Sequence, residues 1–353
     1  MIYNIMMNIS ENISLKEFTS IKLGGKAKFF CECNSEIELI ECLEYARIKN
    51  IKIHILGGGS NTIFLDEGFD GLVIRINLKG INIHNDFKDN VIIKAAAGEE
   101  WDDFVKYCVE NNFAGVECLS GIPGGVGATP TQNVGAYGQE VKDTIIFVKA
   151  IDRDTYKPTM FSNEDCLFGY RTSRFKTIDK EKYIVTEVLF KLRKNGKPEI
   201  KYPELEKYLK AKNESDFSLS YVRNAVMELR KKKSMVLDDD DPDSVSCGSF
   251  FVNPVLLEID FENMCVKAGI EKNNIPFHIL SGYYKLSAAW LIENAGFEKG
   301  YTKKRVGISG KHSLALVNHG GTTKDLLNLA EEIQTKVFNK FGVVLVKEPV
   351  IVS

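Results

Sequence analysis

The sequence lacks the patterns that define several large protein classes. Its 8 cysteines include no C-x-x-C pair and its 5 histidines include no H-E-x-x-H motif, so the common zinc and thioredoxin-type signatures are absent. No apolar run approaches the roughly 18 residues of a membrane span. The formal net charge of -2 provides no basic field for nucleic acid or an anionic bilayer. We therefore expect no metal site, no nucleic-acid partner and no membrane partner.

The first residues also lack a secretory signal. No basic region precedes an apolar stretch, and Glu11 interrupts the N-terminal segment. Cysteines without a pairing pattern suit a reducing compartment, so we expect a cytoplasmic protein. Cys31 and Cys33 alternate with other residues and are interpreted as part of a packed strand, not as a metal or redox pair.

The composition is that of a globular protein of two or three domains, with 353 residues, 44% of them hydrophobic and 27% charged. Changes in pattern divide the chain into residues 1–80, 81–218 and 219–353. The stretch from Asn195 to Asp216 is polar. The predicted strands cover residues 27–33, 51–56, 91–97, 145–151 and 183–192, followed by a terminal strand. The predicted helices cover residues 36–50, 101–109, 219–233, 285–295 and 323–341.

Local signals mark three of these helices. Ser35 begins an S-x-x-E capping box, which predicts the helix start. Gly342 follows the last helix as a C-cap. In the second helix the apolar residues recur at the spacing of one buried face, namely Trp101, Phe104, Val105, Cys108 and Val109.

A first glycine-rich loop, G-G-G-S-N, follows a predicted strand at residues 57–61. Backbone amides without side chains in the way can approach phosphate oxygens and form an anion-binding nest. The loop matches neither G-x-G-x-x-G nor G-x-x-x-x-G-K-[ST], so the Rossmann and P-loop interpretations are excluded. A plain tight turn remains an alternative.

A second glycine-rich stretch, at residues 120–138, is too long for an ordinary connection. Its mixture of Gly, Asn, Gln and Thr suits a backbone that wraps a large polar cofactor. A glycine-rich surface loop is the alternative interpretation.

Together these two loops resemble the FAD-binding half of UDP-N-acetylenolpyruvoylglucosamine reductases, with I-P-G-G-V-G-A-T-P-T-Q-N-V-G-A-Y-G at residues 122–138. The resemblance continues through F-G-Y-R-T-S-R-F-K at 168–176, C-G-S-F-F-V-N-P at 247–254 and residues 285–296. It covers nearly the whole chain from Phe18. Y-P-E-L at 202–205 resembles the subclass whose extra loop folds a tyrosine over the substrate.

The resemblance implies an α+β fold: two subdomains of the vanillyl-alcohol-oxidase type that bind FAD, and a C-terminal α+β domain that binds substrate. In this family NADPH reduces FAD and departs. The reduced flavin then delivers hydride to C3 of the enolpyruvyl group of UDP-N-acetylglucosamine enolpyruvate while C2 receives a proton, giving UDP-N-acetylmuramate for peptidoglycan. NADPH and substrate use one pocket in turn, so no separate nicotinamide motif is expected. We expect a monomer whose partners are these small molecules.

The family's catalytic residues fall on Arg171, Ser249 and Glu348 by motif match. Arg171 would stabilise the enolate-like charge, Ser249 would protonate C2, and Glu348 would assist the donor. Near Glu348 the usual L-E-P-E-V pattern is replaced by L-V-K-E-P-V. The alternatives are a surface ion pair for the arginine, a turn residue for the serine and an exposed strand end for the glutamate.

The remaining family positions are cofactor and substrate contacts. The expected FAD contacts are Gly57, Gly58, Gly59, Ser60, Asn61, Ile122, Pro123, Gly124, Gly127, Ala128, Gln132, Asn133, Gly135, Ala136 and Tyr137. The expected substrate contacts are Tyr202, Lys233, Asn253 and Lys285. Lys233 ends a run of three lysines, any of which could reach the diphosphate, and a solvated helix end is the alternative. A structural role for Lys285 is equally open.

Two other functions are compatible with part of the sequence. A different oxidase on the same FAD scaffold would keep both glycine loops, but it gives no reason for G-Y-R, G-S-F-F-x-N-P and Y-P-E-L to occur together. A flavin-binding protein without catalysis is supported only by the altered motif around Glu348. The reductase is the leading hypothesis.

Overall fold

A computed structural model of the protein describes residues 8–212 and 217–353. The polar stretch that we predicted to end at Asp216 therefore lies partly outside the described residues, as does most of the N-terminal segment in which we expect no secretory signal. In the two described ranges, no helix is both long enough and apolar enough to cross a membrane.

The helices of the described residues, numbered along the chain, are α1 Glu36–Lys49, α2 Trp101–Glu110, α3 Pro203–Lys210, α4 Leu219–Lys231, α5 Glu258–Ala268, α6 Ala288–Asn294 and α7 Thr323–Phe341. The strands up to residue 194 are β1 Ser10–Ser14, β2 Lys26–Cys33, β3 Ile53–Leu56, β4 Thr62–Phe64, β5 Phe69–Ile76, β6 Ile81–Asp86, β7 Asn90–Ala96, β8 Phe113–Ala114, β9 Gly135–Ala136, β10 Gln139–Glu140, β11 Ile145–Asp152, β12 Pro158–Ser162 and β13 Tyr183–Lys194. The later strands are β14 Ser246–Ser249, β15 Val255–Leu256, β16 Phe277–Leu280, β17 Tyr283–Leu286, β18 Thr302–Lys303, β19 Val306–Ile308, β20 Ala315–Asn318 and β21 Val350–Val352.

The chain forms two compact units. Of the described residues, the first contains 8–13, Ala27–Gly58 and Asp70–Lys232. The second contains Ser14–Lys26, Gly59–Phe69 and Lys233–Ser353. The helix predicted to open the third domain, α4, thus belongs to the first unit. The division at residues 80 and 218 remains a proposal, supported by the two separate sheets of the first unit.

The two larger sheets of the first unit lie in separate stretches of the chain. One has the strand order β1-β2-β5-β3, with β3 parallel to β5, and the other the path β12-β11-β13-β7-β6 with β8 beside β13. Helix α1 begins as predicted, because the Ser35 hydroxyl accepts a hydrogen bond from the Glu38 amide at 3.2 Å. The Glu38 carboxylate accepts from the Asn34 amide, one residue before the position that a capping box uses.

Helix α2 presents the apolar face that its spacing predicts. All five residues of that face are buried, and Trp101, Phe104 and Phe190 form a tilted aromatic cluster with centroids 4.6 to 5.9 Å apart. The Trp101 indole N–H donates to the Leu119 carbonyl at 3.0 Å. The core of the unit therefore fixes the start of the second glycine-rich stretch.

The second unit is built on three small sheets: β14-β20-β19-β18, β15-β17-β16 and the parallel pair β4 and β21. Helix α7 covers part of its core and ends at Gly342 in a left-handed conformation, as predicted. The helix predicted from residue 285 is wrong at its start. Ser287 caps α6 by accepting from the Trp290 amide at 3.3 Å, and residues 283–286 instead form β17, a strand with partners on both sides.

Candidate active site

The two glycine-rich segments meet inside the first unit. A Cβ added to Gly58 would lie 2.7 Å from Gly124 Cα and 2.9 Å from Gly125 N, closer than folded proteins allow. At the neighbouring Gly57 an added Cβ would meet only Ala128 Cβ, at 3.7 Å. The missing side chain of Gly58 is therefore what lets the two backbones approach each other.

The other half of the first loop belongs to the second unit. Gly59 has φ 66°, and an added Cβ would lie 1.8 Å from the Phe18 carbonyl oxygen, so only glycine fits there. The Asn61 side-chain amide donates to the Glu348 carbonyl at 3.3 Å, and the Val350 amide donates to the Asn61 carbonyl at 2.9 Å. Asn61 is thus bonded directly to the segment of the predicted catalytic glutamate.

Three charged side chains hold the beginning of the second loop. Asp102 accepts from the Gly121 amide and forms a bidentate pair with Arg223 at 2.6 and 2.7 Å. Arg230 Nε donates to the Gly121 carbonyl at 3.2 Å. Burial opposes ionisation of Asp102, but the Arg223 guanidinium and the Gly121 amide outweigh it and hold the pKa of Asp102 below its usual value.

The expected FAD contacts of the second loop differ in exposure. Ile122, Pro123, Gly127 and Gln132 are half-buried, Gly124 is buried and Ala128 is exposed. Gly127 donates to the Ala97 carbonyl at 2.9 Å, and an added Cβ would lie 2.5 Å from Ala97 Cβ. The loop thus lies directly on the end of β7 and keeps part of its backbone accessible.

Asn133 is fully engaged within the protein. Its side-chain amide donates to Glu140 at 3.1 Å and to the Gly169 carbonyl at 3.0 Å, and its oxygen accepts from the Lys142 amide at 3.2 Å. The residue is buried and has φ 47°. An FAD contact by Asn133 stays a prediction, and it would use the backbone.

Arg171 is fixed against the same loop. It has φ 53°, a left-handed conformation that is unusual for a non-glycine residue, and its Nη2 donates to the Gly135 carbonyl at 2.8 Å. Its guanidinium lies over the Tyr170 ring, 5.4 Å from the centroid. Gly135 and Ala136, which form the short strand β9, are half-buried. Strained backbone of this kind is concentrated at functional sites.

Tyr202 lies next to Tyr137. Their rings meet edge to face, with centroids 5.6 Å apart and an interplanar angle of 83°. Pro203 occupies the first turn of α3, and Leu205 and Leu209 of that helix pack in one apolar cluster with α4. Burial raises the pKa of Tyr137 to about 12, so its hydroxyl stays protonated at neutral pH.

Ser249 is placed by an irregular strand. The pairing of β14 with β20 shifts register between Ser246 and Ser249, and Gly248 within that interval has φ 70°. A β-bulge of this type turns a side chain away from the regular alternation. Ser249 is half-buried, and the sequence C-G-S supplies the glycine that the bulge requires.

Glu348 lies beside the Ser249 strand. The Glu348 amide donates to the Phe250 carbonyl at 2.9 Å, Val252 donates to the Val346 carbonyl at 3.0 Å, and Phe251 bridges to Lys347. Glu348 is half-buried. The structure therefore brings the predicted serine and glutamate segments together across 99 residues of sequence, and it argues against a merely exposed strand end.

The predicted substrate residues of the second unit lie in surroundings that differ from one residue to the next. Asn253 Oδ1 accepts from the Ala288 amide at 2.9 Å, which ties it to the start of α6. Lys285 lies on the central strand β17, opposite Val255 and His278. Lys233 is half-buried beside the left-handed Ser234, whereas Lys231 and Lys232 are exposed.

Sequence reasoning missed Asp102, Arg223 and Arg230. Their only sequence signal is charge on helices that otherwise have an apolar face, and the pair Asp102 and Arg223 is 121 residues apart. Burial lowers the pKa of the Arg230 guanidinium from its usual value, with the nearby Tyr137 and Asp102 opposing that effect. The Arg230 guanidinium therefore lies beside Gly121, at the beginning of the loop that we propose to bind the cofactor.

The residues present fit FAD. Gly57, Gly58 and the 122–128 loop bring two stretches of glycine backbone into contact, which is the arrangement that accepts phosphate oxygens without side-chain obstruction. A Cβ at Gly58 would clash with the backbone of Gly124 and Gly125, so this contact between the two loops requires glycine. The individual FAD contacts remain a proposal.

Comparisons with known proteins agree with this geometry. A family model described as FAD binding domain matches residues 27–155, and one described as UDP-N-acetylenolpyruvoylglucosamine reductase, C-terminal domain, matches residues 241–352. The UDP-N-acetylenolpyruvoylglucosamine reductase of Thermobifida fusca is 43% identical, with 98% of each chain covered. That of Flavobacterium johnsoniae is 42% identical, covering 96% of this chain and 97% of the relative.

A solved structure has the same fold. The crystal structure of the reductase from Thermus caldophilus aligns with a TM-score of 0.68 at 23% identity, covering 99% of this chain and 100% of that chain. The shared α+β fold and the FAD-binding match define the class of the protein, an FAD-binding protein of α+β architecture. Identity above 40% along nearly the whole chain then shows that it belongs to the UDP-N-acetylenolpyruvoylglucosamine reductase family.

Proposed function

We propose that Arg171, Ser249 and Glu348 are the catalytic residues of this reductase. The protein catalyses NADPH-dependent reduction of the enolpyruvyl group of UDP-N-acetylglucosamine enolpyruvate to UDP-N-acetylmuramate, a peptidoglycan precursor. Bound FAD would supply hydride transfer between NADPH and C3 of the enolpyruvyl group. Gly57, Gly58 and the 122–128 backbone would hold its phosphates.

The observation that carries the proposal is the contact between the Ser249 strand and the Glu348 segment, through the Glu348 amide and the Phe250 carbonyl at 2.9 Å. C2 of the substrate needs a proton from a positioned donor. A serine hydroxyl is a weak acid in water, so it needs an adjacent group that supports proton transfer. A half-buried carboxyl group on the neighbouring segment is suited to that role.

Arg171 has the complementary task. Charge that develops on C2 spreads onto the substrate carboxylate, and preorganised donors stabilise it most. The guanidinium is charged at any working pH and can meet a carboxylate with two parallel hydrogen bonds. Its bond to the Gly135 carbonyl and its position over Tyr170 limit its motion, so little reorganisation is required.

We assign substrate binding to Tyr202, Lys233, Asn253 and Lys285. The Lys233 ammonium can meet the diphosphate as a point charge, and Tyr202 can cover a sugar or base with a rigid face. Asn253 uses its side-chain oxygen to hold α6, so its NH₂ group is the part offered to a ligand. Lys285 lies on a strand that is paired on each side, and this position suits either a substrate contact or a structural role.

The oligomeric state and location are part of the proposal. One chain carries all three catalytic residues, so a monomer suffices. The substrates are small polar metabolites, which suits a cytoplasmic enzyme. Light scattering of the purified holoprotein tests the monomer, with a mass near 39.7 kDa expected.

An anaerobic titration tests the function. The purified protein should be yellow, NADPH should bleach the flavin, and the enolpyruvyl substrate should restore the colour with release of UDP-N-acetylmuramate. Flavin that bleaches but is never reoxidised by this substrate would refute the reductase assignment. Protein that cannot be reconstituted with FAD would refute the cofactor assignment.

Ser249→Ala tests the proton donor. We expect FAD content and the NADPH half-reaction to be unchanged in stopped-flow absorbance, while product formation falls by about 100-fold or more, the usual contribution of a positioned acid. Ser249→Cys restores an acidic hydrogen and should recover part of the rate. Normal product formation by the alanine variant would remove Ser249 from the mechanism.

A further inference from the structure

Three cysteines lie close together in the first unit, although only two of them, Cys31 and Cys33, are neighbours in the sequence pattern. Cys31 and Cys33 are two residues apart on β2 and therefore face the same side of the strand. Cys42 lies on α1 and faces the same side of the strand. The Sγ atoms of Cys31 and Cys42 are 2.9 Å apart, those of Cys33 and Cys42 are 3.5 Å apart, and all three sulfurs lie within 4.8 Å of one another.

The cluster is shielded from water. The exposed fractions are 2% for Cys31, 0% for Cys33 and 1% for Cys42, and buried Leu39 and Leu43 of α1 belong to the same core. None of the three takes part in a disulfide. The expected role of Cys31 and Cys33 in a packed strand is confirmed, but Cys42 gives the pair a third partner.

The charge around the cluster restricts what it can bind. The hydrogen bonds among the sulfurs raise the pKa of a thiol on one side and lower it on the other, and burial together with the nearby Glu38 carboxylate holds the pKa of each thiol far above its usual value. An anionic complex in this place would be poorly solvated and would be repelled by Glu38. A ligand that leaves the three sulfurs with zero net charge is therefore favoured.

Zinc does not meet these requirements. Zn–S bonds of about 2.3 Å in a tetrahedral site place sulfurs about 3.8 Å apart. Two of the three separations here are shorter, at 2.9 and 3.5 Å, and the third is within 4.8 Å. Zn²⁺ with three thiolates also carries a net charge of -1. A trivalent centre with a pyramidal arrangement of three sulfurs needs a narrower spacing and forms a neutral complex.

We propose that Cys31, Cys33 and Cys42 form a binding site for trivalent arsenic or antimony in its hydroxide form. Arsenous acid, As(OH)₃, reacts with three thiols to form three As–S bonds. Three As–O bonds break, and the thiol protons leave with the hydroxides as three waters. No oxidant or reductant is required, and both sides of the reaction are neutral.

Bound arsenic would link β2 to α1. The site lies apart from Arg171, Ser249 and Glu348 in sequence and shares none of the proposed FAD contacts, so it is an additional property of this chain. Because the sulfurs are buried, the reagent must enter during local opening of the packed helix, and binding should be slow.

The test is native mass spectrometry of the holoprotein incubated with sodium arsenite until its mass is constant. We expect one arsenic per chain with loss of three hydrogens. The chain is then denatured without a reductant, so that the arsenic stays bound. The number of thiols that react with an alkylating reagent should fall from eight to five. Arsenic X-ray absorption should show three sulfur neighbours.

Cys42→Ala should abolish this complex at arsenite concentrations that saturate the natural chain. Cys118→Ala, a change at another buried cysteine of the same unit, should leave it intact. If Cys42→Ala does not fold, Cys33→Val supplies the same test at a strand position that favours valine. Absence of a 1:1 complex, or a complex that survives loss of Cys42 or Cys33, would overturn the proposal.

Discussion

The closest approach of the two glycine loops gives the sharpest test of the cofactor site. In Gly58→Ala the new Cβ would lie 2.7 Å from Gly124 Cα and 2.9 Å from Gly125 N. Both neighbours are backbone atoms, which cannot rotate away as a side chain can. The loops must therefore separate, and the anion-binding nest that we propose them to form must open.

Overpacking of this kind costs about 1 to 3 kcal/mol. If the loops separate in the free protein and must approach again around FAD, the whole cost falls on binding. Since each 1.4 kcal/mol is a factor of ten, the Kd for FAD should rise roughly 5- to 150-fold. If the loops stay together in the free protein, part of the cost appears as lower stability instead.

Gly57→Ala is a matched control one residue earlier. Its Cβ would make only an ordinary contact at 3.7 Å, with Ala128 Cβ. Apoprotein of each variant is titrated with FAD by flavin fluorescence, and its free energy of unfolding is measured by urea denaturation. The change in binding and the change in stability for Gly58→Ala should together reach at least about 1 kcal/mol beyond those for Gly57→Ala.

The reasoning fails if the two variants bind FAD equally well and unfold at the same urea concentration. A loss of stability in Gly58→Ala without any change in Kd would show that the contact serves folding only. In that case the phosphate site would have to be sought in other parts of the two loops.

The remaining predictions concern catalysis and substrate binding. Arg171→Lys keeps the charge but loses the planar fork, so kcat should fall about 100-fold or more at unchanged FAD content, measured by steady-state kinetics. Glu348→Gln should lower turnover by about 100-fold with FAD retained, whereas Glu331→Gln, at an exposed position of α7, should not; near-normal turnover would refute the assignment. Lys233→Ala should raise the KM for the UDP substrate about tenfold, as loss of a charged hydrogen bond implies, and an equal rise for Lys231→Ala would assign the contact to the whole run.

The sequence predicted the elements whose signals are local. Helix α2 has five buried residues at helical spacing, and α7 ends at a glycine with φ 72°. Helices α3 and α5 were missed because each buries only two side chains, too few to produce a clear period. The start of α6 was misplaced because the apolar residues of β17 run directly into it.

The candidate site shows the same limit at a larger scale. Motif resemblance identified Ser249 and Glu348 separately, but no local pattern indicates that their segments share backbone hydrogen bonds. Asn133 belongs to the motif, yet its side chain is used up within the protein. The side chain of a motif residue can therefore serve to build a loop, so that any contact of that residue with a ligand would come from its backbone.

The lysine run shows how structure separates residues that sequence cannot. Lys231 ends α4 and is exposed, and Lys232 lies over the Tyr208 ring, 5.0 Å from its centroid. Lys233 comes after the helix, where the left-handed Ser234 at φ 55° turns the chain, and it is half-buried. The three side chains have the same chemistry, so only the end of the helix distinguishes them. That end depends on the packing of α4 against α3 and the Gly121 loop, which is a tertiary property.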